Sequence, residues 1–157
     1  MSKYSDLILN MKLKEENKEN FANAMLNLGM AFKNETENCG KLCGGVNEKE
    51  LMVIAFVGQN KNVKMSQIAD NIFAPMSTLT NIVDKLVERD LINRDHSGED
   101  RRVINVSLSA KGKTAYSKLV EKKKKIAESV LTQLDEKEQT LLIKHLNLLA
   151  KELKTPI

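Results

Sequence analysis

The chain contains no tryptophan, and aromatic residues make up only 4% of its 157 positions. That scarcity argues against an all-β sandwich or barrel, whose strands draw on aromatic and β-branched side chains. It argues equally against the aromatic platforms on which single-stranded nucleic acids stack. Two prolines and seven glycines are present, below the usual combined share of about 12%, so the chain has few tight turns to make. No apolar run approaches the length of a membrane span. The stretch Leu7-Ile8-Leu9-Asn10-Met11 is too short and too interrupted for a secretory signal. With no lipidation motif at either end, a cytoplasmic protein without a membrane partner is expected. Two cysteines, Cys39 and Cys43, do not make a disulfide framework of the secreted kind.

What is present points to a mainly helical protein. Hydrophobic residues reach 41%, enough for the core of one domain. The formal charge of +4 and the isoelectric point near 9.0 are mildly basic and permit nucleic-acid binding. Residues 1–14 form a short amphipathic arm in this reading. Phe21, Ala24, Met25, Leu28, Ala31 and Phe32 recur at the spacing of one helical stripe, which predicts a helix over 15–35. The glycine-bearing segment 38–45 reads as a loop. Asn47 and Glu50 make a capping box that opens a helix through about Val57, ended by Gly58. A short helix follows over 66–72. Pro75 suits the first turn of the next, which runs to about Arg89 with Leu79, Ile82, Val83 and Leu86 inward.

The period then changes. Residues 91–94 are short and extended, 96–101 are polar like a hairpin tip, and Ile104, Val106 and Leu108 alternate as in a strand over 102–108. Ser109 caps a long helix. Asp135 with Glu138 opens the last one, with Leu141, Leu142, Leu146, Leu149 and Leu153 inward.

Two short helices and a tight turn, followed by a β-hairpin, make a winged helix-turn-helix. Such a helix fits the major groove of duplex DNA while the preceding one braces it, and a basic hairpin reaches phosphates beside it. Opposite the apolar stripe of the 75–89 helix lie Ser77, Asn81, Asp84, Lys85 and Glu88, flanked by Thr78 and Thr80. Hydroxyl and amide groups suit base edges and phosphates, and Asn81 suits adenine. The plainer reading is that these are polar residues at a helix start. Asp84 and Glu88 repel phosphate, so the first two turns should enter the groove. Arg101 and Arg102 stand beside the hairpin tip, and Asp100 can pair with Arg102 to stabilise the wing.

With these residues in view, the chain resembles the multiple-antibiotic-resistance regulator (MarR) family. The resemblance is carried by Met65-Ser66-Gln67-Ile68-Ala69, Ser77-Thr78-Leu79-Thr80, Val83-Asp84-Lys85-Leu86, Leu91-Ile92-Asn93-Arg94, Asp100-Arg101-Arg102 and Leu108-Ser109-Ala110-Lys111-Gly112 in that order. It implies a homodimer whose core is made by terminal helices. It also implies a roughly palindromic double-stranded DNA operator, and repression relieved by a small-molecule effector, oxidation or a metal. By position, Ser66 would contact phosphate, Ser77, Thr78, Thr80 and Asn81 would face the major groove, and Arg102 would serve the wing. Phe73 and Asp90 stand where the family often has glycine, and Asn81 where it often has arginine.

The expected organisation is a winged-helix lobe over 46–112 flanked by dimerisation helices at 1–36 and 110–157. Long amphipathic helices at both ends cannot all bury their stripes on so small a lobe and want a partner surface. The function expected is that of a dimeric transcriptional regulator. The alternative is a helical module that uses the winged helix to contact protein. No catalytic motif, cofactor or metal-ligand pattern is found, so an enzyme is not expected. Cys39 and Cys43 are a candidate redox pair, or part of a metal site with Glu35 or Glu37, or simply two unreactive thiols.

Overall fold

A computed structural model describes residues 14–96 and 104–153. The N-terminal arm, the hairpin tip and the beginning of the expected 102–108 strand lie outside the described residues. The elements run α1 (Glu15–Leu42), α2 (Glu48–Asn60), β1 (Asn62–Lys64), α3 (Met65–Ile72), α4 (Met76–Glu88), β2 (Ile92–His96), β3 (Ile104–Leu108), α5 (Ala110–Leu131) and α6 (Glu136–Glu152). The architecture is mainly helical, with a small antiparallel sheet in the order β1-β3-β2. Val63 and Arg94 both sit opposite Val106, and Ile92 opposite Leu108.

The sequence reading holds where the signals are local. The Asn47 side chain accepts from the Glu50 amide and Glu50 returns the bond, each at 2.9 Å. Asp135 and Glu138 do the same at the start of α6, and the Ser109 hydroxyl accepts from the Gly112 amide at 2.9 Å. Each closes a helix end whose first N–H groups have no partner within the helix.

Several expectations are corrected. The segment 38–45 is not all loop, because α1 continues to Leu42 and buries Cys39 and Gly40. A side chain at Gly40 would run into the Val46 carbonyl, so this glycine admits the returning chain rather than breaking the helix. Gly58 likewise sits inside α2, where the Tyr116 ring occupies the space of a side chain. The actual turn falls at Lys61, with φ at +66°. Strand β1 was not foreseen, since its three residues become a strand only by pairing with β3. Pro75 caps α4 from outside instead of lying within its first turn.

The buried hydrophobic core runs from Cys39 to Leu119. Val53, Ile54, Val57, Ile68, Leu79, Leu86 and Val106 are among its fully enclosed members. Burying each such side chain is worth about 1.5–3 kcal/mol. The leucines of α6, expected inward, also differ: no residue of that helix is buried within the single chain.

Candidate nucleic-acid interface

Helix α4 is anchored at its C-terminal end. Leu91 N–H reaches the Leu86 carbonyl and Asp90 N–H the Val87 carbonyl, both at 2.9 Å, with Asp90 left-handed at φ +56°. This is the paired termination that normally takes glycine. Four further contacts hold the same end. The Arg89 guanidinium donates to Glu50 at 3.1 Å and to the Gly44 carbonyl at 2.7 Å. Lys111 donates to the Arg89 carbonyl at 2.9 Å, and the Ser109 hydroxyl to the Asp90 carbonyl at 2.6 Å. Glu50 itself is buried, so its carboxylate depends on the Arg89 charge and the Asn47 amide for stabilisation.

The N-terminal end is different. Among the described residues no side chain caps it, and the first N–H groups of a helix have no acceptor within the helix, the arrangement that favours phosphate. Ser77, Asn81 and Lys85 are exposed at successive turns of one face. Thr78 and Thr80 are half-buried on the flanks, and the Thr80 hydroxyl donates to the Met76 carbonyl at 2.9 Å. Ser66 is exposed in the first turn of α3. A shallow groove brings Ser66 and Thr80 together with Lys64, Met76 and Arg94. Ser77, Asn81 and Lys85 do not line it. Asp100, Arg101 and Arg102 lie outside the described residues.

Two functional features escaped the sequence reading. Asp84 is not a bare repulsive charge, because Arg94 on β2 pairs with it at 2.7 Å. That pairing offsets the repulsion that Asp84 alone would exert on phosphate. The pair joins a helix to a strand, and no spacing rule within either element reveals it. The second feature is the Arg89 anchor, which joins residues 39 and 45 positions apart.

Cys39 and Cys43 lie one turn apart at the end of α1, both buried and both reduced. Burial, helped by the neighbouring Glu35 carboxylate, pushes the Cys39 thiol up; burial and the second thiol push Cys43 up. Both shifts oppose the thiolate that redox chemistry needs. Beside Cys39 a mainly apolar cavity of about 180 Å³ opens between α1, α2 and α5, lined by Phe32, Leu51, Met52, Leu119 and Ile126. Glu35 at its edge pairs with Lys122 at 3.3 Å. His145 is exposed on α6. Among the described residues no helix is long and apolar enough to cross a membrane.

Residues 46–104 match the MarR family model. Over 94 residues the chain is 33% identical to the HTH-type transcriptional repressor MdtR of Bacillus subtilis, covering 60% of this chain and 61% of that one. The chain thus spans about three-fifths of the length of that relative. The solved structure of the YusO protein from Bacillus subtilis is 25% identical, with a TM-score of 0.63 over 92% of this chain and 100% of that one. Streptococcus pneumoniae FabT, solved in complex with DNA, is 21% identical with a TM-score of 0.73 over 90% and 98% of the two chains, a likeness of fold. Order of elements, matched segment and relatives agree: residues 46–104 are similar to the MarR family, and the whole chain shares the fold of solved MarR-like structures.

Proposed function

We propose that this protein is a dimeric, sequence-specific double-stranded DNA-binding transcriptional regulator, a repressor acting on a pseudo-palindromic operator in the cytoplasm. The observation that carries this reading is the asymmetry of α4. Its C-terminal end is bonded into the fold through Arg89, Asp90 and Leu91, while Ser77 and Asn81 stand exposed at its uncapped N-terminal end. A helix so held presents its first two turns in one orientation, which groove reading requires. The repressor named among the relatives and the DNA complex among the neighbours support it. The same evidence favours DNA over a protein partner for the winged helix, and a regulator over an enzyme.

In this reading residues 46–112 form the DNA-binding lobe. The helical regions 1–36 and 110–157 form the dimer, whose two-fold axis sets two reading helices about one DNA turn apart. Ser66 binds phosphate. Ser77, Thr78, Thr80, Asn81 and Lys85 serve the major groove, and Arg101 and Arg102 serve the wing, steadied by Asp100. The cavity beside Cys39 suits a small apolar effector. Release by such an effector is favoured over oxidation, since both thiols are buried and burial pushes each away from the thiolate.

The test is duplex binding at several salt concentrations. Arg102→Ala should weaken binding and reduce the slope of log affinity against log salt by about one. A native protein with no salt-dependent duplex binding would overturn the proposal.

A further inference from the structure

Two apolar side chains at the start of the reading helix are left unexplained by packing. Phe73 occupies the turn between α3 and α4 with φ +50° and ψ +44°, in the left-handed region. A side chain with a Cβ is disfavoured there, and glycine takes such positions without penalty. The Phe73 ring recovers nothing from the core, being 77% exposed. Three residues on, Met76 opens α4 with 47% of its surface exposed. It lines a groove with the apolar Met65 and Ile104, and the groove's remaining members, Lys64, Ser66, Thr80 and Arg94, are of the kind that meets a nucleic-acid backbone. A strained, exposed aromatic beside an exposed methionine is a cost to the folded monomer. Such costs gather where a ligand makes use of them.

We propose that Met76, with Phe73 beside it, reads thymine methyl groups in the major groove. The inference rests on the DNA-binding reading above and adds its base preference. The major-groove edge of thymine differs from the other bases by its C5-methyl, the one apolar group displayed there, and apolar side chains recognise it by contact. Asn81, exposed five residues further along α4, suits the N6 and N7 edge of adenine. Apolar atoms at the tip and an amide behind it select A·T pairs from opposite strands. The exposed Lys64 and Lys85 supply charge complementarity to the phosphates on either side. Met76 is the specificity-determining residue. Phe73 covers the adjoining sugar edge and excludes water from the methyl contact.

The experiment removes the methyl alone. Bound duplexes are selected from a random double-stranded library with the full-length native protein. The enriched duplex is then resynthesised with each thymine replaced singly by deoxyuridine, which pairs identically. The expected result is one or two positions per half-site where the replacement weakens binding about fourfold per methyl. That penalty should vanish in Met76→Gln and persist in Met76→Leu. Phe73→Gly should bind more weakly while melting about 3 °C higher, since it loses the contact and the backbone strain together. A deoxyuridine penalty absent at every position, or unchanged in Met76→Gln, overturns the inference. In that case DNA binding itself still stands. If the native protein enriches no duplex, the underlying regulator reading fails as well, and the two failures are told apart.

Discussion

Between Cys39 and Leu119, most apolar residues at helical or strand spacing are buried, and Ile54, Ile68, Leu79 and Leu86 are fully enclosed. In the outer helices, residues of the same kind at the same spacing face solvent. Phe21, Leu28 and Phe32 of α1 are exposed, as are Leu141 and Leu146 of α6. Amphipathicity states that a helix has a face to bury, and it does not state against what. The inner region finds its partners within one chain. The outer helices leave several large apolar side chains exposed, and clustered exposed apolar surface in soluble proteins marks association. The proposed dimer is the natural occupant of that surface.

The comparison can be broken or sharpened by substitution, beginning with the largest effect. Ile54→Ala removes a fully buried side chain from α2 and should cost about 3 kcal/mol, read as a lowered midpoint in urea. Arg89→Ala strips the buried Glu50 of its cationic partner and the Gly44 carbonyl of its donor. The guanidinium is one-third exposed, so the cost should be nearer 2 kcal/mol than the full penalty for breaking a buried pair. Binding to a selected duplex should weaken further, since the anchored end of α4 is loosened. Leu146→Glu should leave the stability of the inner region within about 0.5 kcal/mol, as expected for a surface position. It should instead shift the sedimentation coefficient from dimer to monomer. If Leu146→Glu unfolds the inner region or leaves the assembly unchanged, the division between the two regions is wrong.

Helix α4 is legible in the sequence because its evidence is local. Leu79, Ile82, Val83 and Leu86 define the buried stripe, and Ser77 and Asn81 fall on the opposite face by geometry alone. Asp90 stands where the family often has glycine, and aspartate tolerates the left-handed conformation that its φ of +56° shows. Phe73 shares that conformation at +50°, and nothing in its chemistry announces it. The cysteines were placed in a loop because Gly40 looks like a helix breaker. The Val46 carbonyl against Gly40 is a fact about a chain that turns and comes back.

What the sequence determined by itself, then, was the set of helices, their caps and the order that makes a winged helix-turn-helix. Those features depend on hydrogen bonds and side-chain periods spanning a few residues. The tertiary structure alone decided which glycines sit inside helices and that Asn62–Lys64 is a strand. It also decided that Arg94 offsets Asp84, and that Arg89 ties the end of α4 to Glu50 and Gly44. Each of these joins residues distant along the chain, through a charge pair, a sheet register or a close backbone approach. No periodicity encodes such contacts, because they exist only once the core has brought the segments together.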